Sequence, residues 1–235
     1  MKIQIFRKKR KGLLFAKEIK NYLLYALGEI ILVVLGILIA LYISNWNEIN
    51  KIKNKSNKSL ERIKTDLETE AYVLKDFKKR YNYSKKYLKK ILYEGDTNNI
   101  DSIRFHFGPF VHYKMNTEYS NLKSSGQLNL ISNKKLRNNI VNFYEVYYAI
   151  YSELEKEHKV FINSRVLDYF YKEFPSDTTY FIKPKLILHK LNDDKFKAIM
   201  NNQIISLDYI TKNLFLDQID NIIRKIDLEL ELNKP

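Results

Sequence analysis

The chain has 235 residues, 41 Lys and Arg against 27 Asp and Glu, a net charge of +14 and no cysteine. The missing cysteine excludes a disulfide framework and any lipoprotein or palmitoyl attachment, and six glycines leave little material for a phosphate-cradling loop. Nearly all the excess charge lies in residues 1–95, with 22 basic against 9 acidic side chains; residues 96–235 hold 19 against 18.

In chain order, residues 1–20 read as a basic cytoplasmic segment carrying Arg7, Lys8, Lys9, Arg10 and Lys11, and Ile3, Ile5, Phe6, Leu13, Leu14 and Ile19 allow it an amphipathic helix on the inner membrane surface. Residues 21–45 read as a transmembrane helix. Tyr22 to Ile43 is a run of 22 residues charged only at Glu29, and at ~1.5 Å per residue it reaches about 33 Å, the thickness of a hydrocarbon core. A cleavable signal has a shorter apolar region ending in small residues, whereas this one ends in Tyr42, Ile43, Ser44, Asn45 and Trp46, so it reads as an uncleaved signal anchor. Tyr22, Tyr25, Tyr42 and Trp46 stand where interfacial aromatics belong. Eight basic residues in positions 1–20 against five in 44–63 place the N-terminus inside and the C-terminal part outside, in the periplasm of a bacterium with two membranes. A carboxylate inside such a span is costly and calls for a partner or for snorkelling. Gly36 and Ala40 share its helix face, so Glu29, Gly36 and Ala40 form a candidate packing face for a second copy or another membrane protein.

Residues 46–94 are expected to be a basic helical stalk. Leu60, Ile63, Leu67, Ala71, Leu74, Phe77, Tyr81, Leu88 and Ile91 recur at helical spacing, and a bend is expected near Asn54 to Ser59. Residues 95–235 form the α-helical soluble domain. Gly95 reads as a helix C-cap, Asp101 as the cap of a short helix stopped by the sequence FGPF at Phe107 to Phe110, and Gly126 as the end of a helix from Thr117. Asn133 caps the next helix. There Ile140, Tyr144, Tyr147, Tyr151, Leu154, His158, Phe161 and Arg165 step by four and three, a bundle or coiled-coil seam. Pro175 and Pro184 bracket a loop, Asn192 or Asp193 caps a short helix to about Met200, and a last helix covers about Gln203 to Leu230. The fold class is all-α: one N-terminal transmembrane helix, a helical stalk and an antiparallel helical-bundle domain.

Two stretches carry a family resemblance. Gly28, Glu29 and Ile30, then Leu32, Val33 and Val34, then Gly36 to Leu41, then Asn45, Trp46, Asn47 and Glu48 follow a GEI, LVV, GILIAL, NWNE pattern, with Ser44 in the place of an Asn. Tyr119 to Glu145 adds Leu-Lys-Ser-Ser-Gly and Leu-Arg elements in the same order. The chain thus resembles a domain-of-unknown-function family of uncharacterised single-pass membrane proteins of Gram-negative bacteria. That resemblance implies a location and an architecture, without an activity.

No catalytic constellation stands out. His106, His112, His158 and His189 make no i, i+4 pair, so a metal site at His106 and His112 requires carboxylates from elsewhere. His158 on the seam reads as a satisfied core residue, Glu153, Glu155 and Glu157 as a solvated helix face, and Ser124, Ser125 and Gly126 as a helix end. The Lys-rich stretch from Lys75 to Lys90, with Tyr81, Tyr83 and Tyr87, resembles a nucleic-acid face but needs the reversed topology, so nucleic acid is not the expected partner. The reading is of a non-enzymatic envelope scaffold or interaction protein without cofactor or metal, whose partners are the lipid bilayer and another membrane helix. The alternatives are a membrane-tethered sensor signalling through helix pairing and a cytoplasmic nucleic-acid binder.

Overall fold

The computed structural model describes residues 3–108, 112–174 and 182–233, with side chains at 22, 23 and from 25 onward. Among the described residues there is no strand. The helices are α1 (Ile3–Lys89), α2 (Thr117–Ser124), α3 (Lys134–Asn142), α4 (Tyr148–Phe161), α5 (Leu167–Glu173), α6 (Pro184–Lys190), α7 (Asp194–Lys212) and α8 (Leu216–Leu232). Two compact units result, Met1–Lys55 and Ser56–Pro235.

In the first unit the backbone of α1 continues through the apolar run, and an 18-residue window reaches a mean hydropathy of 2.7 with none of it buried. None of that window is buried, so the run packs on nothing within its own unit. It is long and apolar enough to cross a membrane.

The second unit begins inside what was expected to be the stalk. From Ser56 onward α1 is a core helix: Leu60, Ile63, Leu67, Leu74, Tyr81 and Leu88 are all buried. The Asn- and Ser-rich stretch 54–59 does not end the helix, because Ser56 and Ser59 are themselves buried and Asn57 Oδ1 accepts from Asn233 Nδ2 at 3.0 Å.

Caps explain most of the boundaries. A π turn, Lys90–Glu94, closes α1, and Gly95 at φ 70° donates its N–H back to the Lys90 carbonyl. The next helix is 3-10, Ile100–Phe107, and starts from Asn99 at φ 56°; Asp101 therefore lies in its first turn and is not its cap. It ends at Phe107 before Gly108, while Pro109 and Phe110 lie outside the described residues. Gly126 takes φ 69° after α2, and Asn133 Oδ1 accepts from the Leu136 N–H at 3.1 Å to start α3.

Residues 134–173 form one helix interrupted by two π turns, Phe143–Tyr147 and Ile162–Val166. Each widens the repeat by one residue. The heptad seam is therefore corrected: Tyr147, Leu154 and Phe161 are half-buried and Arg165 is exposed, whereas Tyr144, Tyr148, Tyr151, His158, Ile162, Val166 and Phe170 face inward. Pro184 opens α6 at its first turn, and Pro175, with residues 176–181 of the loop the two were expected to bracket, lies outside the described residues. The Asp193 carboxylate accepts from Lys195 N–H and caps α7, which continues past Met200 to Lys212; the break before α8 falls at Phe215, φ 52°.

The unit holds two apolar clusters. One gathers α1 from Leu60 to Tyr81 with α2, α3, Tyr148, Tyr151, the end of α7 and α8. The other gathers Leu88, Ile91, the 3-10 helix, Ile162 to Phe174, α6 and the start of α7. Between them lies a polar layer of Ser84, His106, His158 and Gln203, all buried.

Candidate functional site

Arg62, Asp66 and Glu70 follow one another at four-residue steps on α1 and so lie along one face. That face holds the segment that leads into α2. Arg62 Nη1 donates to Glu118 Oε2 at 3.4 Å, the Glu118 N–H donates to Asp66 Oδ2 at 3.0 Å, and the Met115 N–H donates to Glu70 Oε2 at 3.2 Å. Two backbone donors that would otherwise be unpaired before and in the first turn of α2 are thereby satisfied by carboxylates.

At the inner end of this row sits His112. Its Nε2 lies 2.8 Å from Glu70 Oε1 and its Nδ1 3.7 Å from Glu155 Oε2; the His112 side chain is 0% exposed, Glu70 1% and Glu155 22%. Phe77, Tyr148 and Tyr151 surround the ring, with centroids 6.1, 6.2 and 5.2 Å away. Burial works against the imidazolium, but the contacts to Glu155 and Glu70 outweigh it and push His112 up to about 9. The ring is therefore cationic at neutral pH, held between two carboxylates. Tyr151 Oη donates to Glu155 Oε1 at 2.9 Å, and burial keeps the phenols of Tyr81, Tyr144, Tyr148 and Tyr151 protonated well above the ordinary tyrosine range.

The two carboxylates address opposite nitrogens of one ring, so they bracket it and do not converge with it on a shared point. Among the described residues no group of three or more His, Asp or Glu is placed to hold a metal ion. The cavity beside Glu70, bordered by Leu74, Tyr148 and Tyr151, measures about 10 Å³, room for a single water at most.

The polar layer is a second satisfied site. His106 Nδ1 lies 3.1 Å from Ser84 Oγ, Gln203 Nε2 donates to the His106 carbonyl at 3.0 Å, and Gln203 Oε1 lies 2.9 Å from His158 Nε2. The His106 ring stacks on Tyr87 at 3.9 Å. Burial holds His106 down at about 4 and lowers His158, where the Gln203 contact only partly offsets it. Both rings are neutral, and His158 donates from Nε2 to the Gln203 carbonyl oxygen.

His106 and His112 thus part company, each taken by a different set of partners. Of the three glutamates read as a solvated face, Glu155 is turned to His112. The sequence does hold a trace of this: Glu70 interrupts the buried stripe between Leu67 and Leu74, and Glu155 falls between Tyr151 and His158. The residues singled out in the apolar run lie elsewhere. Tyr22, Tyr25, Tyr42 and Trp46 are 76, 81, 73 and 57% exposed, Glu29 and Ala40 are exposed, and a methyl group added at Gly36 would meet nothing within 4 Å. Arg7, Lys8, Lys9, Arg10 and Lys11 are in the backbone of α1, their side chains outside the described residues. Along Lys75 to Lys90, Tyr81 is in the core, Tyr87 Oη donates to the Asn99 carbonyl at 2.7 Å, and Lys85 pairs with Asp208 at 2.9 Å. Two of the three rings are thus engaged, while Tyr83 remains 66% exposed.

No curated protein and no solved structure matches the chain. A family model, described as a family of unknown function (DUF6090), matches residues 29–175. The match takes in Glu29, Gly36 and Ala40, the whole clamp from Arg62 to Glu118, and both partners of His112. It covers more than half of the 235 residues, and the chain belongs to this family of unknown function, DUF6090.

Proposed function

We propose that this protein is a single-pass, non-enzymatic scaffold or interaction protein of the inner membrane of a Gram-negative bacterium, with its N-terminus in the cytoplasm and residues 56–235 in the periplasm. The observation that carries the reading is the exposed apolar run of α1, whose 18-residue window has a mean hydropathy of 2.7 and no buried part. Burial in lipid is what such a surface lacks. The excess of basic residues before the run supports the orientation. The bracketing of the buried His112 ring by Glu70 and Glu155 supports a structural role for this charged cluster. Within the bilayer, Glu29, Gly36 and Ala40 form the face that meets a second copy or another membrane helix, shielding the acid from lipid.

Topology tests this directly. A reporter active only outside the cytoplasm, fused after Pro235, gives signal, while one active only inside is silent; the opposite pattern removes the orientation. Glu29→Leu is expected to change crosslinking within the membrane, and unchanged crosslinking would count against the packing face. A hydrolytic activity of the purified chain, lost on a single substitution, would overturn the non-enzymatic reading.

A further inference from the structure

Beside the helix that carries both π turns, α7 leaves a groove with two unlike ends. One end is a cleft of about 540 Å³ and the other a hollow of about 320 Å³, and the two share Phe161 and Asn202 in their walls. Together they fall within the roughly 300–1,000 Å³ usual for small-molecule sites.

The first end is electropositive once its pairs are sorted. Asp168 is taken by Lys172 at 2.9 Å and Glu173 by Lys190. Just outside, Asp193 accepts from Tyr169 Oη at 2.8 Å. Arg165 and Lys195, both exposed and on different walls of the cleft, have no ion pair among the described residues. The second π turn is the reason Arg165 lies on this surface rather than on the seam, and Lys195 stands in the first turn of α7, where the helix dipole adds to its charge. The other end is mainly apolar: Leu154, Ile205, Tyr209 and Ile210 line it alongside Glu157, His158 and Ser206, and Ile205 and Tyr209 remain 57 and 59% exposed, so an anionic head is favoured at the Arg165 end and disfavoured here.

We infer that this groove binds a small amphiphilic carboxylate, its anionic head between Arg165 and Lys195 and its apolar chain along Phe161, Ile205 and Tyr209. An Arg fork and a Lys ammonium on opposing walls suit a carboxylate approached from two sides. The exposed isoleucine and tyrosine suit a chain, whose burial there removes apolar surface from water. The inference rests on residues 154–173 and 190–210 and is independent of the orientation of the anchor.

Because the chain has no cysteine, Val160→Cys, on the exposed surface next to Phe161 and outside the lining, gives a single place for an environment-sensitive dye. The full chain, labelled there and held in nanodiscs of zwitterionic lipid, is titrated with decanoate, decanol and acetate. The dye reports locally, so partition of decanoate into the bilayer does not count as binding. Saturable binding of decanoate is expected, weakened about tenfold or more by Arg165→Gln with Lys195→Gln and also by Ile205→Glu, with helicity and melting unchanged. Decanol binding as tightly as decanoate would overturn the anionic end, and acetate doing so would overturn the apolar end. No saturable response, or one untouched by all three substitutions, would overturn the site.

Discussion

His112 carries a charge into an interior where water does not reach it, and the two carboxylates that keep it charged differ in their own surroundings. Glu70 is wholly buried and Glu155 is not, so removing the ring leaves Glu70 as a buried charge without its cationic partner, the Met115 N–H still donating to it. His112→Leu is therefore expected to lower unfolding free energy by about 3–5 kcal/mol. Replacing both, His112→Leu with Glu70→Leu, should recover a large part of that loss, and urea unfolding of the two variants measures the difference. The pH dependence follows from the same geometry. His112 in the folded chain titrates at about 9, above its ordinary 6.5; its contribution is complete below pH 6.5 and is lost as pH rises through 9, about 3 kcal/mol in all. His106 runs the other way: held down at about 4, it contributes above pH 6.5 and that contribution is lost as pH falls towards 4. Thermal melts across pH should show stability falling on both sides of this window, the alkaline limb disappearing in His112→Leu and the acid limb shrinking in His106→Gln.

The two π turns are the features that place the buried rings of residues 134–173. A π turn holds one residue more than an α turn, so deleting one residue from it restores regular helix and leaves both flanks in place. Deletion of the exposed Asn163 should shift the melting temperature by only a few degrees. Deletion of Glu153, equally exposed but between the π turns, should be far more damaging, because either turn can absorb the gap only by rotating Tyr148 and Tyr151, or His158, from their partners. Circular dichroism melts of the two deletions decide it. This also shows what could be read in advance. Asn133, Gly95 and Gly126 were legible because a cap or a left-handed residue is a local chemical need. Of the seam, Ile140, Tyr144, Tyr151 and His158 were legible, whereas Tyr147, Leu154, Phe161 and Arg165 fell off the buried face, since an inserted residue changes the register without any Gly or Pro to mark it. The α7 boundary was misplaced because Gln203, polar in sequence, is fully buried in the layer between the two clusters. The pairing of His112 with Glu70 and Glu155 depends on three distant segments meeting, and no spacing rule joins them.

At the scale of the whole chain, the division at Lys55 and Ser56 is a statement about where burial begins. Among the described residues, the first buried side chain is Ser56, and both apolar clusters are built entirely from residues at or beyond Leu60. The apolar run contributes nothing to either cluster, and its removal should cost the second unit no core. A chain beginning at Ser56 is therefore expected to fold with the same helical signature and nearly the same urea midpoint as the full-length protein, and to remain in the supernatant without detergent. The full chain, by contrast, should stay with the membrane pellet after alkaline carbonate extraction, as a helix inserted through lipid does and an electrostatically held protein does not. A truncated chain that unfolds or precipitates would mean that the run supports the fold itself. A full chain released by carbonate would mean that its apolar surface is covered by something other than a bilayer. The distinction matters for Glu29, because only in lipid does one carboxylate among apolar residues create the need for a partner.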